Sequence, residues 1–190
     1  MAAYDAVYLS GDSFPHDEHI EDAVRSRLFS NFAHWINQHD INRICGGHAF
    51  NGAMEARRAD LRRLKNSGDA GNPWILFGRS SGCRVATLYA AENAALAVVC
   101  LGYPFRHPDG PEEPERFAHL ATMTTPTLII QGLHDAYGGS NFPLYYRLSA
   151  AVEVQYVDCA HDFRITGPMW NAVAYRIAGF LTKAAPSGTR

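Results

Sequence analysis

The chain has 190 residues, 17 Lys and Arg against 19 Asp and Glu for a net charge of −2 with histidine neutral, and 47% hydrophobic residues. That length suits one domain with a substantial core, expected over residues 1–183 with a flexible tail at 184–190, and leaves little room for a second. The near-balanced charge carries no footprint for nucleic acid or an anionic membrane surface, which directs attention to small neutral substrates.

Taken in chain order, β-rich or apolar runs recur at 6–9, 42–45, 74–77, 96–101, 127–131 and 152–157. Between them lie helical patterns at 23–37, with Leu28, Phe32, Trp35 and Ile36 on one face, and at 54–65, 82–93, 143–150 and 169–181. Strand alternating with helix predicts parallel pairing through right-handed crossovers. The nearly continuous apolar run Leu96 to Leu101 suits a sheet covered on both faces. The expected architecture is therefore α/β, a minimal, mostly parallel six-stranded sheet with helices on both faces. A Pro-rich stretch from Tyr103 to Glu115 reads as a loop, and as a short lid on the substrate side.

Cys45, Cys83, Cys100 and Cys159 form no C-x-x-C pair, and no apolar run reaches the roughly 20 residues that span a bilayer. Nor does a charged n-region lead into an apolar segment at the N-terminus. A cytoplasmic location is expected, with no membrane partner and a monomer or homodimer; strand pairing through 42–45 would serve the latter.

The chemistry concentrates in Gly78-Arg79-Ser80-Ser81-Gly82, which follows the apolar run Trp74 to Phe77 and precedes a helical pattern. A serine between two glycines at a strand-to-helix turn reads as a nucleophile elbow, in which the missing Cβ atoms let strand and helix crowd together. A hydroxyl needs an imidazole to take its proton, and the imidazole needs a carboxylate to fix its tautomer. His161 follows the strand pattern 152–157, and Asp135 follows that at 127–131. Both fall just past strand C-termini, the edge at which open α/β sheets bind ligands. Asp158 and Asp162 are rival acids, but a carboxylate so close in sequence to the histidine is poorly placed to reach its Nδ1.

These features resemble the α/β-hydrolase superfamily, and in detail its small dienelactone-hydrolase-like branch of serine hydrolases. Gly78 to Gly82 is similar to that branch's elbow, and Gly102-Tyr103-Pro104-Phe105 with His107-Pro108 to its post-strand loop. Pro126 to Asp135 resembles its acid-bearing segment, and Ala160-His161-Asp162-Phe163 its histidine turn. The resemblance implies a Ser80, Asp135 and His161 triad, a sheet order 4-3-5-6-7-8 in superfamily numbering, and hydrolysis of small carboxylic esters, thioesters or lactones without cofactor or metal. It also implies an oxyanion hole from the backbone N–H groups of Ser81 and Asp12. Relatives carry His-Gly and a small residue where this chain has Ser10-Gly11-Asp12. The Asp12 carboxylate would oppose an oxyanion unless it turns away or pairs with Arg79 or Arg106.

Several residues keep two readings. Arg79 would attract an acidic substrate group or form a structural ion pair. Tyr103, Phe105, Tyr137 and Phe163 would line an apolar substrate pocket or pack in the core. His16-Asp17-Glu18-His19 lacks metal-ligand spacing and reads as a solvated loop, and the basic run Arg57, Arg58, Arg62, Arg63 and Lys65 as the wet face of a helix. The alternative function is a catalytically weak hydrolase-fold protein serving as a binding module.

Overall fold

The computed structural model describes residues 4–47, 49–68, 71–140 and 147–184. Six strands form one sheet: β1 (Asp5–Leu9), β2 (Trp35–Ile36), β3 (Trp74–Arg79), β4 (Ala97–Leu101), β5 (Thr127–Gly132) and β6 (Val152–Val157). Their order is β2-β1-β3-β4-β5-β6 and every adjacent pair is parallel. Among the described residues the α-helices are α1 (Glu18–Leu28), α2 (Gln38–Ile44), α3 (Met54–Ser67), α4 (Ser81–Glu92) and α5 (Gly167–Ala184).

Alternate strand residues feed two cores, as the two-residue period of a strand requires. Tyr8, Phe77, Val99 and Ile130 meet α1 and α5 through Val24 and Ile177. Val7, Leu76, Val98 and Ile129 meet α2, α3 and α4 through Ile41, Leu61 and Val85. The sheet is thus sealed on both faces, and its C-terminal edge is left for loops that carry polar groups.

One strand and one helix differ from expectation. Residues 42–45 do not form a strand: 42–44 end α2, which Asn37 and Asp40 start with a reciprocal capping box, each side chain accepting from the other's backbone N–H. An edge pairing across a dimer through 42–45 therefore has no strand to use. The edge strand is instead Trp35–Ile36, which the amphipathic pattern 23–37 absorbs into a helix. In fact α1 stops at Leu28, a single 3₁₀ turn follows at Phe29–Asn31, and Phe32 is extended at φ −120° and ψ 150°. Trp35 then joins one core and Ile36 the other, a period-2 signal too short to see beside the helical one. Of the helix expected at 143–150, residues 143–146 lie outside the described residues and 147–150 are not helical; residues 185–190 of the expected tail also lie outside them.

Candidate active site

At the C-terminal edge, β3 runs into α4 through Ser80, which sits at φ +49° and ψ −122°. A non-glycine residue there is strained by about 1–3 kcal/mol, and the surrounding packing holds it. A Cβ on Gly78 would lie 2.5 Å from the Cys83 Cα, and one on Gly82 would lie 2.1 Å from the Leu9 carbonyl oxygen. Both glycines are therefore required by close approach, the first of strand to helix and the second of helix to the end of β1. The turn lifts the half-buried Ser80 side chain out of the sheet edge.

The Ser80 hydroxyl lies 3.0 Å from His161 Nε2, and His161 Nδ1 lies 2.8 Å from Asp135 Oδ2. A carboxylate only accepts, so Nδ1 carries the hydrogen and Nε2 presents its lone pair to the hydroxyl. Asp135 is 3% exposed, and its other contacts are neutral donors: the Gln131 side-chain amide to Oδ2 and the Tyr137 backbone N–H to Oδ1, both at 2.8 Å. Gly132 lets the two loops meet, because a Cβ there would lie 2.6 Å from the Cys159 carbonyl oxygen. The rival acids are engaged elsewhere, Asp158 with His134 and Asp162 with Arg164.

The sequence profile described as "Alpha/beta hydrolase domain" matches residues 23–169, more than half of the chain. The protein belongs to the α/β-hydrolase family. The sheet order and the parallel pairing are those expected of that fold. A protein from Xanthomonas campestris pv. campestris assigned as a hydrolase of the α/β superfamily superposes with a TM-score of 0.67 at 14% identity, covering 96% of this chain and 99% of its own. The esterase domain of a Rhodothermus marinus protein gives 0.67 at 16% identity, covering 96% and 87%. A thermophilic esterase from Thermogutta terrifontis gives 0.65 at 17%, covering 95% and 90%. Among curated protein sequences none matches.

In this α/β hydrolase the Asp12 carboxylate does not pair with Arg79 or Arg106. It accepts from the Ser81 hydroxyl at 2.7 Å and lies 3.8 Å from Arg57 Nη1. Arg57 is not on a wet face: it is 2% exposed, donates to Ser81 Oγ at 3.1 Å and to the Ser10 carbonyl, and is covered by the Phe50 ring. Burial lowers its pKa to about 10, opposed chiefly by Asp12, so the guanidinium stays charged at neutral pH. Its neighbours do face water in part, and Arg58 pairs with Glu55 and Glu92.

Arg79 is also buried and does not reach an open pocket. Its Nη1 lies 3.3 Å from both His161 Nε2 and the Leu101 carbonyl oxygen, its Nε 3.7 Å from Asp17 Oδ2, and its guanidinium over Phe163. The structural ion-pair reading of this residue is the one observed, and Asp17 is a buried partner of Arg79 rather than part of a solvated loop. Glu18 instead pairs with His39, and His19 bonds the Asp162 carbonyl.

Among the aromatic candidates, Tyr103, Phe105 and Phe163 are fully buried, so none presents a surface to substrate here. Tyr137 is half-buried and lies against the His161 ring, centroids 4.3 Å apart. The stretch expected as a lid is pinned at its start: the Tyr103 N–H donates to Gln131, its hydroxyl to the Arg116 carbonyl, and the Arg106 N–H to the Tyr137 carbonyl. Gln131 is the residue that sequence reasoning passes over, and the available signal is an amide ending the apolar run Thr127 to Ile130. Cys83 and Cys159 are buried, Cys83 bonding the Gly78 carbonyl, and burial raises the Cys159 thiol to about 11, a packing role for both.

Proposed function

We propose that this α/β hydrolase is a serine esterase of dienelactone-hydrolase-like type, cleaving small carboxylic esters, thioesters or lactones through an acyl-enzyme. The observation that carries the reading is the unbroken hydrogen-bond chain from Ser80 through His161 to Asp135, mounted on a strained turn. His161 Nε2 takes the Ser80 proton as Oγ bonds to the substrate carbonyl carbon, and Asp135 stays ionised, holding the imidazolium in place. The negative oxygen faces the N–H of Ser81, which as the first residue of α4 has no partner within the helix, and the N–H of Asp12. His161 then returns the proton to the departing alcohol, thiol or ring oxygen as the C–O or C–S bond breaks. A water, deprotonated by the same nitrogen, adds to the acyl carbon, and collapse of the second tetrahedral species restores Ser80.

Gly11 supports the placement of the oxyanion loop, since a Cβ there would lie 3.1 Å from the Ser80 Cβ. The esterases among the similar structures support the reaction class. The Asp12 carboxylate, the reason to consider a catalytically weak binding module, is occupied by Ser81 and Arg57, which favours the esterase. The test is turnover of p-nitrophenyl acetate, phenyl thioacetate and a small lactone by wild type and Ser80→Ala. Hydrolysis of at least one substrate by wild type alone is expected; equal rates for both proteins, or none for either, overturn the reading.

A further inference from the structure

We propose that Arg57 is a positioning residue for the oxyanion hole, clamping the β1–α1 loop to the first turn of α4 and balancing the Asp12 carboxylate. The inference rests on the esterase reading for what the hole does, and on geometry alone for what Arg57 holds. One guanidinium reaches three groups around the proposed donors: the Ser10 carbonyl, the Ser81 hydroxyl and, at 3.8 Å, Asp12 Oδ1. Ser10 and Asp12 flank Gly11, so fixing the carbonyl of one and the side chain of the other fixes the Gly11–Asp12 peptide, whose N–H is the proposed second donor. The first donor belongs to Ser81, whose own side chain bridges Arg57 and Asp12.

Charge supplies the second half. An unbalanced carboxylate beside a developing oxyanion raises the barrier, and the buried Arg57 guanidinium, 3.8 Å from an Asp12 side chain that is 68% exposed, offsets the part of that charge that water leaves unscreened. Phe50 covers the guanidinium at 5.1 Å and keeps water off it. The other buried arginine of the elbow, Arg79, lies on the His161 side with Asp17.

Five proteins test this: wild type, Arg57→Met, Arg57→Lys, Asp12→Asn, and Arg57→Met combined with Asp12→Asn. Hydrogen–deuterium exchange is followed over residues 9–13, with β3 and the later turns of α4 as internal fold controls. Arg57→Met is expected to speed exchange over Leu9 to Gly11, next to the Ser10 carbonyl that Arg57 holds, while the controls hold, and to lower kcat for p-nitrophenyl acetate about 100-fold, the loss typical of one oxyanion donor, with KM within about threefold. Arg57→Lys, which keeps the charge and one donor, recovers part of the rate and covers the case in which the methionine variant does not fold. The loss caused by Arg57→Met is smaller when Asp12 is already Asn, because less charge is left to balance. Unchanged exchange over Leu9 to Gly11 overturns the clamp whatever the kinetics. Equal losses in both Asp12 backgrounds overturn the balancing role. A wild type without turnover contradicts the esterase reading instead, and the exchange data still decide the clamp.

Discussion

The two sides of Ser80 are built by opposite means. On one side, the acid Asp135 is sealed from water and held by neutral donors, the Gln131 amide and the Tyr137 N–H, so its charge is spent on His161. On the other, the loop at Ser10 to Asp12 is held by full charges, with a buried arginine and a carboxylate sharing the Ser81 hydroxyl. A carboxylate that must orient a histidine is best surrounded by dipoles, which fix it without neutralising it. In the proposed mechanism the loop is held through its side chains and a carbonyl, so that its backbone N–H groups can serve the oxyanion.

The sharpest way to break this contrast is at its centre. Ser80→Ala and His161→Ala are each expected to lower kcat by about 10⁴- to 10⁶-fold, as for serine hydrolases generally, with unchanged thermal unfolding; ester hydrolysis rates together with circular dichroism check both. Asp135→Asn should lower kcat by about 10⁴-fold, because an amide no longer fixes the histidine tautomer. Asp158→Asn, at the exposed rival acid, should leave the rate within about twofold, and a large loss there would reassign the acid.

The dipole-held side is sharpened by Gln131→Leu. It removes one partner of Asp135 and leaves the buried Tyr103 N–H without its acceptor, which costs about 1–3 kcal/mol. Urea denaturation should show that loss and steady-state kinetics a fall in kcat of about tenfold; a variant as stable as wild type would contradict the assignment.

The smallest expected effect lies behind the elbow helix, at His119, whose Nε2 meets the Thr87 hydroxyl of α4. Burial lowers its pKa to about 4 from an ordinary 6.5, with Arg84 and Arg58 adding to the shift. The unfolded chain binds the proton first, so stability is full above pH 6.5 and falls as pH drops from 6.5 towards 4. Denaturation at a series of pH values should show this slope, and His119→Gln should flatten it.

The contrast also explains what was readable in the chain. Ser80, Asp135 and His161 each follow a strand pattern directly, so period and order alone bring them to one edge. Gln131 and Arg57 act through tertiary contacts: an amide ending an apolar strand and one arginine in Arg57-Arg58-Ala59-Asp60-Leu61-Arg62-Arg63 look ordinary until the neighbours are known. The aromatics near the site show a similar limit, since Tyr103, Phe105 and Phe163 lie near it in sequence yet are buried, and sequence gives proximity without direction. The short strand Trp35–Ile36 was masked because Leu28 and Phe32 extend a helical pattern through it, and the Asn37 and Asp40 capping box was the local signal that α2 begins where a strand was expected soon after.

The most direct test of the account is fluorophosphonate labelling of the purified, folded protein, with Ser80→Ala as control and mapping of the adduct by peptide mass spectrometry. The account predicts a single adduct on Ser80, absent from the alanine variant and slowed in Asp135→Asn. An unlabelled wild type, or an adduct on any other residue, would contradict an activated Ser80.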